Sequence, residues 1–412
     1  MTLNYIWIGF FLIAFIVALV KLVFLGDTEV FSNMLGMSFD MAKTGFEISL
    51  GLTGVLALWM GIMKIGERGG MVAILAKAVS PLFTKLFPGI PQNHPAFAPM
   101  VMNFSMNMLG LDNAATPVGL KAMDELQQIN PDKDTASNAQ IMFLVLNTSG
   151  LTLIPVTIMA YRLKYEAGNP ADIFIPILLA TFFSTLVGLI TVSRLQKISL
   201  LNKTILAYLG TLTLIIVGLL VYFSSIPQEQ VATISNLVSS FVLVSVMVGF
   251  IGLAARKKVN VYEAFIDGAK DGFQIAIKII PYLVAMLVGI GVFRASGTLD
   301  IIIEGFRMFF AFLGVNTDFV DALPTAFMKP LTGGGARAAM LELYDNEAFG
   351  VDSFAARVAS VLQGSTETTF YVIAVYFGAV KIKNTRYAIT AGLIADLAGI
   401  IAAILIAYLF FH

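Results

Sequence analysis

Residues 138–163 read NAQIMFLVLNTSGLTLIPVTIMAYRL, and residues 354–378 read FAARVASVLQGSTETTFYVIAVYFG. Each is long and apolar enough to cross a bilayer, whose hydrocarbon core of roughly 30 Å takes about 20 residues of helix. Each is also interrupted near its centre. Asn147, Thr148, Ser149, Gly150 and Thr152 precede Pro155 in the first, and Gln363, Gly364, Ser365, Thr366, Glu367, Thr368 and Thr369 fill the middle of the second. Backbone loosened at membrane depth must face protein or a wet cavity, because lipid offers no hydrogen-bond partner. Two spans broken at matching places therefore predict an all-α polytopic membrane protein with a polar site at its centre.

The rest of the chain fits that class. Of 412 residues, 58% are hydrophobic and 13% charged, with a mean hydropathy of +0.86; soluble domains carry about 25% charged residues. Lys plus Arg equals Asp plus Glu at 26 each, so no basic field exists to hold nucleic acid. The absence of cysteine and the presence of only two histidines, His94 and His412, leave no thiolate site and no nucleophile–base pair. No enzyme activity and no cofactor is expected, apart from H⁺ or Na⁺ as a coupling ion.

Nine segments qualify as spans: 4–25, 46–66, 138–163, 172–193, 202–223, 236–254, 273–293, 354–378 and 386–411. Arg194, Lys197 and Lys203, then Arg256, Lys257, Lys258 and Lys270, then Lys381, Lys383 and Arg386 mark three basic loops. Placing them in the cytoplasm puts the N-terminus inside and the C-terminus outside the inner membrane. Two stretches, 67–137 and 294–353, do not read as spans. Each opens with an amphipathic segment (Met71–Phe87, Thr298–Leu313) of the kind that lies in the interface. Each then runs into a Pro- and Gly-punctuated, half-polar stretch that reads as a re-entrant hairpin.

The two halves match at four anchors, in order. Ala42-Lys43-Thr44-Gly45-Phe46 pairs with Ala269-Lys270-Asp271-Gly272-Phe273, and Gly61-Ile62 with Gly289-Ile290. Pro99 and Ser105-Met106-Asn107 fall opposite Pro324 and Pro330-Leu331-Thr332, and Leu146–Thr152 opposite Leu362–Thr368. The reading is two repeats, 1–200 and 230–412, joined by a helix within 201–229. Four spans and one linking span make an odd number, so the second repeat enters the bilayer upside down.

Four clusters could carry chemistry. The first hairpin offers Asn103, Ser105, Asn107, Asp112 and Asn113; the alternative there is an ordinary solvated turn. The second offers Thr332, Gly333, Gly334, Gly335 and Arg337, where glycines and a helix start suit an anion; simple flexibility at a bend is the alternative. The broken spans offer Asn147, Thr148 and Ser149, and Gln363, Ser365, Thr366, Glu367 and Thr368. All of these are candidate substrate contacts, against a polar helix-packing network. Glu367 and Thr152 are candidates for ion coupling, since an intramembrane carboxylate is costly. Asp396 has two readings, an intramembrane functional carboxylate or a passenger on the small-residue packing face of Ala391, Gly392, Ala395, Ala398 and Gly399.

Met102–Lys121, centred on Asn103-Phe104-Ser105 and Asn113-Ala114-Ala115-Thr116-Pro117, resembles the spore maturation protein A family. Thr332-Gly333-Gly334-Gly335-Ala336 and Gln363–Tyr371, within the chain from about 230 on, resemble the spore maturation protein B family. The chain looks like a fusion of the two. Both families carry the nucleoside-recognition gate domain, which is similar to the hairpin-and-broken-helix core of concentrative nucleoside transporters. The resemblance implies a solute site between Asn103–Asn113, Asn147–Thr152, Thr332–Arg337 and Gln363–Thr369. It also implies a homo-oligomer, trimeric by analogy with those transporters, with a dimer as the alternative. The expected function is alternating-access transport of a small polar or anionic solute, nucleoside-like in the first instance. The alternative is a non-transporting membrane partner in envelope or spore-core maturation.

Overall fold

The computed structural model describes residues 2–91, 94–110 and 112–412; the side chains of 2–4, 6, 112–114, 228, 229 and 232 lie outside that description. The described residues form helices and no strand, with one isolated bridge between Thr135 and Asn384. Two long helices open the chain, α1 (Thr2–Leu25) and α2 (Val30–Gly69), followed by α3 (Met71–Leu86). Next come a helical hairpin, α4 (Phe97–Met108) and α5 (Asp112–Gln128), and two short collinear pieces, α6 (Asn138–Ser149) and α7 (Val156–Lys164). Helix α8 (Phe174–Leu195) closes the first half, and α9 (Lys203–Ser225) links it to the second.

The second half repeats the order. It comprises α10 (Gln228–Arg256), α11 (Val261–Ala295), α12 (Thr298–Phe312), a hairpin of α13 (Leu323–Met328) and α14 (Gly333–Asp345), the pieces α15 (Phe354–Gly364) and α16 (Thr369–Ala379), and α17 (Ala388–Phe411). Seven helices among the described residues are long and apolar enough to cross a membrane: α1, α2, α8, α9, α10, α11 and α17. The expected spans 138–163 and 354–378 are not continuous helices; each is split in two. The expected spans 46–66 and 273–293 are the apolar parts of much longer helices. At 1.5 Å per residue, α2 is about 60 Å long, twice the hydrocarbon thickness, so hydropathy alone undercounts it.

The centre of the molecule is the antiparallel pair α2 and α11. A β-carbon added at Gly45 would touch Val284, and one at Gly272 would lie 2.6 Å from the Leu56 carbonyl. Further along, Gly268 abuts the Met60 carbonyl, and Ser49 donates its hydroxyl proton to Ala276 O at 3.1 Å. Small residues let the two backbones approach where no hydrophobic driving force exists between helices in lipid. The outer helices cross over. Helix α1 lies on α11, with Trp7 Nε1 donating to Ala285 O at 2.9 Å and Phe10 against Phe293. Helix α10 lies on α2, with Gly66 against Phe250 and Gly69 against Ala254. Each half thus seats its first helix on the other half.

Helices α8 and α17 form a second antiparallel pair, with Gly188 against Ala395 and Ser184 Oγ donating to Ala395 O at 3.0 Å. Leu214, Phe241 and Val248 on α9 and α10 are largely exposed, as lipid-facing residues are. Two loop contacts clasp the halves. In one, Lys383 and Asn384 donate their N–H groups to Asp134 O, and Ala136 N–H donates to Asn384 O, all at 2.9 Å. In the other, Arg162 of α7 pairs with Asp172 and with Asp352, while Arg357 of α15 also reaches Asp172.

Candidate functional site

The broken helices have local causes. Ser137 caps α6 in a reciprocal box with Gln140, and the helix runs until Gly150, whose φ of +40° lies in the left-handed region. Pro155, with no N–H to donate, precedes the restart at Val156. In the second half α15 stops at Gly364 and α16 begins at Thr369. The two breaks are tied to each other, with Glu367 N–H donating to Thr148 O at 2.8 Å. Each hairpin tip is tied to the break of its own half. Leu153 N–H donates to Met108 O at 2.8 Å, and Phe370 N–H donates to Pro330 O at 3.0 Å.

Where tips and breaks meet, they enclose a cavity of about 120 Å³, room for on the order of ten waters. From the first half it is lined by Gly110, Thr152, Ile154, Pro155, Val156, Thr157, Ile158 and Tyr161. From the second it is lined by Lys329, Gly333, Arg337, Gln363, Gly364, Thr366, Glu367 and Thr368. The first residues of α7 and α14, Val156 and Gly333, and the N-cap of α16, Thr368, all border this space, so three positive dipole ends lie at one volume. Thr332 caps α14 by accepting from Gly335 N–H at 3.3 Å. The amides of Gly333 and Gly334 have no protein partner among the described residues.

Arg337 lies over the Tyr161 ring, 5.5 Å from its centroid, and its Nε has no hydrogen-bond partner. Neither Arg337 nor Glu367 has an ion-pair partner within 4.0 Å among the described residues. Gln363 donates weakly to Gly333 O at 3.4 Å, and its Oε1 is buried without a donor. A concave polar space, positive helix ends and unpaired polar groups are the makings of a small-solute site.

The expected site residues divide around this space. Thr152, Gly333, Arg337, Gln363, Thr366, Glu367 and Thr368 line it. Asn103, Ser105, Asn107, Asn147, Thr148, Ser149, Thr332, Gly334, Gly335 and Ser365 do not. Several of these hold the scaffold instead. Asn107 Nδ2 donates to Asn147 Oδ1 at 2.8 Å, Tyr376 donates to the same oxygen at 3.3 Å, and Asn103 Nδ2 donates to Ala115 O at 2.9 Å. That network fastens the first hairpin to α6 and α16. Ser105 and Ser365 return their hydroxyls to Val101 O and Leu362 O. Gly335 packs against Met328 and Met286 rather than a ligand. The side chains of Asp112 and Asn113 lie outside the described residues. Lys329, Tyr161 and Gly110, which sequence reasoning passed over, line the cavity. Only Lys329, a lysine beside the Pro330–Gly335 bend of the second hairpin, gave a sequence signal.

Two segments of the chain, 49–164 and 276–383, match the family model described as Gate, nucleoside recognition. Together they span more than half of its length and contain both hairpins and both breaks. The chain belongs to the nucleoside-recognition Gate family. The chain is similar to two proteins of Bacillus subtilis strain 168. Spore maturation protein A is 39% identical over 191 residues, which is 46% of this chain and 93% of that protein. Spore maturation protein B is 44% identical over 178 residues, 43% of this chain and 97% of that protein. Near-complete coverage of both relatives, each over about half of this chain, is the pattern of a fusion. No solved structure gave a significant match.

Proposed function

We propose that this Gate protein is a transporter of the inner membrane, moving a small polar or anionic solute, nucleoside-like, by alternating access coupled to H⁺ or Na⁺. The observation that carries the reading is the cavity itself, bordered by three helix N-termini and Arg337. Broken helices at a repeat interface are where alternating-access carriers hold their cargo, and positive dipole ends with a guanidinium favour an anion or an acceptor-rich ligand. The family description, nucleoside recognition, supports the same class of ligand. In this reading the hairpins are re-entrant, the repeats are inverted, and the basic loops place the N-terminus in the cytoplasm. Glu367 takes or releases a positive charge beside the solute as the site changes sides. The oligomer, dimer or trimer, surrounds one such site in each copy.

The test is a thermal-shift screen of detergent-purified protein against nucleosides, nucleobases, dicarboxylates and amino acids. A ligand at a hundred times its Kd stabilises by about 2.7 kcal/mol. Arg337→Ala is expected to abolish the shift for the cognate class. Glu367→Gln, reconstituted in vesicles, is expected to keep binding and lose uptake against a gradient. The relatives' names, spore maturation proteins A and B, favour a second reading as a non-transporting membrane partner. No shift with any class would select it, whereas unchanged uptake in Glu367→Gln would only remove Glu367 from the mechanism.

A further inference from the structure

Behind the second break lies a buried polar cluster that shares only Thr366 with the solute cavity. Asp396, in the middle of α17, is 1% exposed, and neither carboxylate oxygen has a hydrogen-bond partner. Thr366 and Thr369 face it from the two ends of the break between α15 and α16, and their hydroxyls are likewise buried without a partner. Their methyl groups are seated against Gly399 and Gly392, the glycines that flank Asp396 on α17. Larger residues at either glycine would push the hydroxyls off the carboxylate. The carbonyl of Ser365 stands beside Gly399 as well, and it accepts no hydrogen bond among the described residues.

Four unpaired side-chain oxygens in one buried cluster are costly unless something sits between them. A carboxylate taken out of water needs a countercharge, and a buried hydroxyl needs a partner. No lysine or arginine nitrogen among the described residues lies within 4.0 Å of Asp396. The donors are all oxygen, which suits a hard cation, and they carry a single negative charge. Lys329 and Glu367 are the other charged groups near Asp396, and they are of opposite sign.

We propose that Asp396, Thr366 and Thr369 bind a Na⁺ ion in the break between α15 and α16. Thr366 also lines the solute cavity, so one residue touches both spaces. Cation occupancy fixes the Thr366–Thr369 turn, and with it the positions of Glu367 and Thr368 beside the solute. The functional meaning rests on the transport reading; the binding itself does not.

The test follows thermal unfolding of purified protein in choline chloride, with NaCl or KCl added at matched ionic strength and no solute. Wild-type protein is expected to show a saturable rise in Tm with Na⁺ and none with K⁺. Asp396→Asn is expected to lose that rise, and Thr366→Val and Thr369→Val each to weaken the apparent Na⁺ affinity at least tenfold. The threonine variants keep the question open to decision should Asp396→Asn fail to fold. An equal response to K⁺, a response retained in Asp396→Asn, or stabilisation that follows pH and not Na⁺ would overturn the site. Na⁺ binding without solute uptake would sink the transport reading and leave the ion site standing. Uptake indifferent to Na⁺ would overturn the coupling role given to the site.

Discussion

Arg162 has no exposed surface, yet its guanidinium donates to Asp172 at 3.1 Å, to Asp352 at 2.8 Å and to Val351 O at 2.9 Å. A charge so placed is held by its partners, and removing one member of a buried pair costs about 3–5 kcal/mol. Arg162→Met leaves Asp172 with Arg357 alone, at 3.0 Å, so the loss belongs at the low end, about 3 kcal/mol. A reversible SDS titration would register it as an earlier midpoint; a change below 1 kcal/mol would remove the clasp from the account of stability. Single residues are also where sequence reading reached its limit. Asn103, Asn107 and Asn147 have the composition of a binding site, and the structure spends them on Tyr376, Ala115 and each other. An amide in a helix gives no sign of which face it will occupy until the partner helix is known. Lys329 and Tyr161 come to the cavity from segments far apart in the chain, and only the tertiary fold joins them.

At the scale of elements, the breaks were the most legible feature. Ser149-Gly150 before Pro155, and Gly364-Ser365 after Gln363, carry their helix-ending chemistry locally, and helix ends fell within a few residues of it. Amphipathic helices α3 and α12 were readable for the same reason. Helix length was not, because α2 and α11 begin as helix well before their apolar runs start. The seam between those two carries a firm prediction. Gly268 and Gly272, four apart on α11, give the close approach to Met60 and Leu56 carbonyls. Gly272→Val puts branched carbon into backbone, and overpacking of this kind costs about 1–3 kcal/mol. Gly305, on α12, has open space around it, so Gly305→Ala is the matched control. Equal melting temperatures for the two variants would mean that the helices slide apart freely.

The whole molecule is built by exchange, with α1 on α11 and α10 on α2. Residues 1–200 alone would leave α1 without a seat and α2 without its antiparallel partner, and residues 230–412 would be left in the same state. Expressed singly, each segment is expected to be degraded. Expressed together as two polypeptides, they are expected to co-purify, because the seam is non-covalent and α9 contributes little to it. Recovery of either segment alone in folded form would contradict this. The linking helix therefore has a bearing on supply. Two separate chains that complete each other must be made in matched amounts, and any surplus is an orphan with exposed polar backbone in lipid. Joined through α9, the halves leave the ribosome in a fixed one-to-one ratio, and neither can be orphaned.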